Sequence, residues 1–308
     1  MPARLALLVA VAALAGCGGD DGAPDGGPAA EPWTYARAMS QRRSYVAAAE
    51  VGGAIYVAGG MVGESGRPLA TFQRFDPEEN RWTGLPRLPE PVSAAAAAAV
   101  GSTIYVAGGQ TGGRTSGSQA WAWDVERHGW REIAPLPEAR FNHAAASVDG
   151  IVYVLGGFSF GEEHDEVYAY DPAGDAWSLV TRLPRPNHAF GVAVLDGEIW
   201  VIGGRRGEEI LAEVWILDPA TGEWREGPAM PEPMELLGVA VAGEELHAIW
   251  EHVYQIYDVR TGRWRDGPRP LVTRHALKAF HVGEALYTIG GCTTALVDSP
   301  VVERRELR

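Results

Sequence analysis

The stretch Ile55-Tyr56-Val57-Ala58-Gly59-Gly60 decides the fold, because it comes back. Copies read IYVAGG at 104–109, VYVLGG at 152–157, IWVIGG at 199–204 and LYTIGG at 286–291. The first four lie 47 to 49 residues apart and the last gap is 87, close to twice that period. The missing copy stands where the period puts it, as LHAIWE at 246–251, with Trp250-Glu251 in place of the glycines. A short β-branched and aromatic run that ends in Gly-Gly reads as a strand stopping at a sharp turn, since glycine takes a positive φ without a Cβ clash. Self-similarity at a fixed period of this size is the mark of a repeat architecture.

A second phrase lies between the copies: an aromatic, an Asp that is often followed by Pro, and a Trp six residues after the Asp. The pairs are Asp76/Trp82, Asp124/Trp130, Asp171/Trp177, Asp218/Trp224 and Asp258/Trp264. Asp bonds its own backbone two residues on and Pro presets φ, so the pair starts a turn. A small apolar run such as Ala144–Val148 precedes each Gly-Gly strand. Each unit therefore holds four short strands. Gly-Gly, the Asp turn and the Trp, at a period near 50, together resemble the kelch repeat. The similarity runs over residues 33–308 and implies an all-β fold, a six-bladed kelch-type β-propeller of four-stranded antiparallel blades. The Gly-His and Trp-Asp signatures of WD40 propellers do not recur with the period. The last Gly-Gly unit has a third strand at 301–307 and no Trp strand after it. Trp33 precedes Trp82 by 49 residues, one period, so the N-terminal strand is expected to complete the last blade. Closure of this kind removes free sheet edges.

Before the repeats, residues 1–16 carry Arg4 and an uncharged apolar run from Leu5 to Leu14, too short for a bilayer span and of the length of a secretory signal. Leu14-Ala15-Gly16-Cys17 resembles the lipobox of bacterial lipoproteins, which implies lipidation of Cys17 after cleavage. Residues 17–32, rich in Gly, Pro, Ala and Asp, read as a flexible tether. The expected location is the bacterial cell envelope, with the lipid in the outer membrane and the propeller on its periplasmic or surface side. The chain carries a net charge of −14 and shows no basic stripe, which argues against nucleic acid as a partner. With Cys17 acylated, Cys292 has no partner for an intramolecular disulfide.

In kelch-like blades the loop into the first strand and the loop after Gly-Gly open on one face, and the resemblance places ligand recognition there. Thirteen residues before each second-strand aromatic stand Arg43, Val92, Arg140, Asn187, Met234 and Arg274. In the family such Arg residues bond loop carbonyls, a structural role that competes here with a ligand role. The binding set read from this face is Arg43, Tyr45, Arg67, Arg140, Asn142, Phe158, His188, Arg205, Glu235, His252, His275 and Lys278, with Glu64, Arg114 and Phe160 on the same loops. Lys278, the single lysine, replaces the Ala or Gly of the other inner strands and could meet an anion or a carbonyl in the channel. His188, His252, His275 and Glu235 offer imidazole and carboxylate ligands, but no HExxH or paired-Cys motif fixes their spacing, so no metal is assigned. The reading is a monomeric, non-catalytic module that needs no cofactor and recognises a protein or a glycan. The alternative is a sugar-directed propeller resembling sialic-acid mutarotases, with Glu235, Arg140 and His188 as candidates, or galactose oxidase, for which only Cys292 supplies a sulfur.

Overall fold

In the computed structural model, residues 32–63, 66–112, 115–294 and 297–307 are described. The signal segment, Cys17 and nearly all of the tether lie outside these residues, as do Glu64 and Arg114. The described residues build six four-stranded antiparallel sheets. They are blade 1 (47–85), blade 2 (96–133), blade 3 (144–182), blade 4 (191–226), blade 5 (238–266) and blade 6 (278–306). Inner strands pack on one another in order around the axis. No helix occurs among the described residues.

Small residues make this inner packing possible. Ala47, Ala96 and Ala144 open their strands, and blades 4 and 5 use Gly191 and Gly238 instead. A Cβ on Gly191 would lie 2.2 Å from Val239, and one on Gly238 would lie 2.3 Å from Leu277, so the next blade already fills that space. Farther out, aromatic side chains join neighbouring blades. Tyr105 meets Tyr170 at 5.6 Å, Trp200 meets Tyr257 at 5.7 Å and Phe72 meets Trp123 at 5.0 Å. Large rings bury much apolar area, and these tilted and edge-to-face pairs add cohesion between blades.

The repeated Trp adds a directional bond. Trp82 Nε1 donates to Arg37 O, Trp130 to Pro86 O, Trp177 to Ala134 O and Trp264 to Pro228 O, at 2.7–3.0 Å. Three of these carbonyls lie in the proline-rich segment leading from the preceding blade, and that of Arg37 lies just after the N-terminal strand. Trp224 Nε1 is buried without a partner. Blade 3, which precedes it, carries a bulge between Val167 and Tyr168 and a seven-residue outer strand, Ala176–Arg182.

Ring closure follows the expected route. Thr34–Tyr35 pairs with Val302–Glu306, Thr34 opposite Arg304 and Tyr35 opposite Glu303. Trp33 is buried against Tyr254 of blade 5, and its Nε1 donates to Pro268 O at 2.7 Å, the same bond the other Trp residues make. Phe75 of blade 1 meets Tyr287 of blade 6 at 5.9 Å inside one apolar cluster. Blades 6 and 1 are thus joined by aromatic packing of the kind seen between other blades.

Candidate functional site

The face begins with backbone. Ser44 bridges Met61, Ser93 bridges Gln110, Phe141 bridges Phe158, His188 bridges Arg205 and His275 bridges Cys292. In these five blades the loop into the inner strand is therefore zipped to the residue after Gly-Gly. The Gly-Gly pair is squeezed between two such loops. A Cβ on Gly60 would lie 2.7 Å from Ser44 O of its own blade, and one on Gly59 would lie 2.4 Å from Val92 O of the next. Gly60 N donates to that Val92 carbonyl at 2.9 Å. Blade 5 keeps the equivalent bond without glycine: Glu251, at φ 52°, donates to Arg274 O at 2.7 Å.

One step further in, a second ring narrows the channel mouth. Tyr45, Ala94, Asn142, Ala189, Leu236 and Ala276 all hold a positive φ of 48–58°. Non-glycine residues there carry strain of about 1 kcal/mol or more. What holds them is a chain of bonds around the axis: Ala94 N to Tyr45 O, Asn142 N to Ala94 O, Ala189 N to Asn142 O, Leu236 N to Ala189 O and Ala276 N to Leu236 O, at 2.6–3.0 Å. The residue types give no hint of this conformation except at Asn142, and the sequence reading missed it.

Beneath the mouth lie the three arginines. Arg43, Arg140 and Arg274 are each 0% exposed. Their Nη1 atoms donate to Gly59 O, Gly156 O and Gly290 O at 3.0, 2.9 and 2.5 Å, each the first glycine of its own pair. Asn187 does the same job in blade 4, donating to Gly203 O at 2.9 Å. Arg274 also pairs with the fully buried Glu303. Arg43 finds no carboxylate; its Nη2 meets Gln73 Oε1 at 2.9 Å, and burial pushes its pKa down to about 10. These three arginines therefore leave the binding set, because no ligand can reach them. A charged residue at a repeated slot reads as surface in a sequence, and here each guanidinium is instead turned inward onto the carbonyl of its own Gly-Gly turn.

The rim itself is uneven. On blades 1 and 2 it is lined by Ser44, Ser93 and Ala94, which are buried, and by the half-buried Tyr45. Ser44 Oγ donates to Asp298 Oδ1 at 2.5 Å, which pins blade 1 to blade 6. Blades 3 and 4 present an aromatic cluster: Phe141 meets Phe158 at 5.4 Å and Phe160 at 5.3 Å, and Phe158 meets His188 at 5.2 Å. Phe160 is 54% exposed. Charges flank the cluster. His188 Nδ1 lies 3.3 Å from Glu163, and Arg205 pairs with Glu235 at 2.8 Å. Burial lowers the His188 pKa, so this imidazole is neutral at neutral pH.

The imidazoles are not brought together. His275 Nε2 lies 3.1 Å from Cys292 Sγ and its Nδ1 lies 3.6 Å from Glu251. His252 is exposed at the tip of the blade 5 turn. Glu235 is taken by Arg205, and Arg140 is buried away from both Glu235 and His188, so the sugar-enzyme candidates do not converge. Burial and Asp298 push the Cys292 thiol up to about 11, leaving it protonated at neutral pH. Arg67 is exposed on the blade 1 ribbon.

A family model described as "KLHDC2/KLHL20/DRC7 Kelch-repeats domain" matches residues 45–249, more than half of the chain. The chain belongs to the kelch-repeat family. No curated protein matches it.

On this kelch face the loop of blade 3 is held most elaborately. Glu138, His164 and Glu166 place one donor atom each within 4.8 Å of one another, the grouping expected of a metal site. Two guanidinium groups already neutralise the carboxylates. Arg140 Nη2 reaches Glu138 at 3.1 Å and Glu166 at 3.3 Å, and Arg182 reaches Glu166 at 2.7 Å. Hydrogen bonds and these cations outweigh desolvation and lower the Glu166 pKa. His164 Nε2 then meets Ser159 Oγ at 2.9 Å. The network fastens the ribbon Phe158–Ser159 to its blade, and with it Phe158 and Phe160. Glu163 continues it into blade 4, accepting from Gly207 N at 2.6 Å.

Proposed function

We propose that this kelch propeller is a non-catalytic module that docks a partner protein on the rim of blades 3 and 4, at the bacterial cell envelope. The observation that carries the reading is the cluster Phe141–Phe158–Phe160–His188, raised to an exposed Phe160 and flanked by the Arg205–Glu235 and His188–Glu163 pairs. Aromatic anchors with a charged surround are the composition of interface hot spots. The shape supports it too: the channel mouth is narrowed by the six positive-φ residues, and the rim around it lies open. The envelope location rests on the lipobox-like Leu14–Cys17.

A photo-crosslinking amino acid in place of Phe160 tests the docking claim. It is expected to join the chain to one defined protein in envelope extracts, whereas the same group in place of Arg260, on a turn at the opposite end of blade 5, gives no adduct. Equal or absent crosslinking at both positions overturns the reading. For the anchor, Cys17→Ala is expected to release the protein from membranes, and retention of that variant contradicts lipidation.

A further inference from the structure

We propose that the neck of the channel is a binding site for a small oxyanion, a carboxylate or phosphate group, held by Lys278. The chain has 26 cationic residues and 25 of them are arginine. The one lysine stands at the first position of the blade 6 inner strand, where the other five blades have Ala or Gly. Lys278 lines both the mouth of the channel and the chamber beneath it, a space of about 440 Å³ walled mainly by the small residues of the inner strands.

What sets Lys278 apart is its lack of a partner. Among the described residues no carboxylate lies within ion-pair distance of its ammonium, and no protein acceptor bonds it. The buried arginines all have their Nη atoms engaged. Lys278 is half-buried, and partial desolvation of its unpaired ammonium in the channel lowers its pKa. An oxyanion removes that cost, and the compact ammonium, with three rotatable donors, suits one better than a flat guanidinium would.

The surroundings fit the same ligand. Tyr45 and Asn142 line this neck, and neither side chain has a hydrogen-bond partner among the described residues, so a hydroxyl and an amide donor are available to an anion there. His143, also in the neck, is buried, and its Nε2 donates to Ala107 O at 3.0 Å. Its Nδ1 is a buried acceptor without a partner, suited to an oxyanion that keeps one O–H, as hydrogen phosphate does. Glu50 and His281 lie in the lower chamber, while Glu235 and Asp298 act on the Tyr45 side of the neck.

The single lysine makes the test clean. In protein labelled with ¹³C-lysine, one Cε resonance reports Lys278. In chloride buffer its titration midpoint is expected below the ordinary lysine value, because burial disfavours the charged form. Inorganic phosphate at constant ionic strength is expected to shift the resonance saturably and to raise the midpoint, because a bound anion favours the ammonium. A parallel acetate titration assigns the class: the ion that saturates at the lower concentration names a phosphate or a carboxylate site. The same ion is expected to raise Tm by mass action in the wild type, with at least tenfold less response in Lys278→Met. If that variant does not fold, the wild-type resonance still decides. A resonance and a Tm that are identical in chloride, phosphate and acetate overturn the proposal and leave a hydrated lysine in a water-filled channel.

Discussion

Two layers of the face are made by consecutive residues and behave as opposites. Arg43, Arg140, Asn187 and Arg274 form the lower layer; Ser44, Phe141, His188 and His275 follow each of them directly and reach the rim. The lower side chains bond the Gly-Gly carbonyls and hold the turn. The upper residues bridge the residue after Gly-Gly, and on blades 3 and 4 the Phe141 and His188 side chains both pack on Phe158. One residue of chain thus separates architecture from recognition. Repeats tolerate this because the buried donor under the turn recurs in four blades, with Val92 and Met234 in its place in the other two, while the rim above it is free to vary.

The sharpest way to break that division is Arg274→Met. It leaves Glu303, itself fully buried, without its cation. Stability should fall by about 3–5 kcal/mol, the cost of an uncompensated buried charge. A denaturant midpoint within 0.5 kcal/mol of wild type, on the scale of ordinary surface changes of about that size, would move Arg274 out of the architectural layer. Arg43→Met should cost less, about 1–3 kcal/mol, because its acceptors are neutral carbonyls and an amide that lose a donor without stranding a charge. If Arg43→Met proves the more damaging of the two, charge pairing does not rank this layer.

Acid supplies the next test. Burial lowers His143 and His247 to about 3, against about 6.5 in an unfolded chain. Both imidazoles fold as neutral groups, so their contribution is full above pH 6.5 and is lost as pH falls from there toward 3, while the unfolded chain takes up protons. Tm should therefore drop between pH 6.5 and 5, before the carboxylates with lowered pKa, such as Glu166, begin to be protonated. His247→Phe should flatten that slope, since Tyr254 Oη keeps its bond from Arg305 at 2.9 Å. An unchanged slope would show that His247 does not stay neutral in the fold. The smallest effect on stability is expected on the rim: His188→Ala and Phe160→Ser should stay within about 0.5 kcal/mol of wild type by urea unfolding.

The same contrast explains what could be read from the chain. Period alone gave the number of blades, the blade without Gly-Gly and the strand that closes the ring, because a missing copy and a missing Trp each left a gap of known size. The loop into the first strand and the residue after Gly-Gly do lie side by side, as the bridges from Ser44 to Met61 through His275 to Cys292 show. Depth within the face was not legible. Arg140 and Phe141 are neighbours in sequence and both are buried, although the usual rule puts the charge in water. Also hidden were the six positive-φ residues, since Ala94, Ala189 and Ala276 carry no turn signature, and the Trp bonds between blades, whose acceptors are backbone carbonyls and leave no trace in side-chain identity.

The most direct test of the central claim measures binding and folding on the same samples. Capture of the crosslinked partner is quantified for Phe158→Ser/Phe160→Ser on the rim of blade 3 and for Arg260→Ala on the opposite end of blade 5, each checked for wild-type Tm. The account predicts at least a tenfold loss of affinity in the rim double variant and none in the other. Equal affinity in the two, at unchanged Tm, would contradict it.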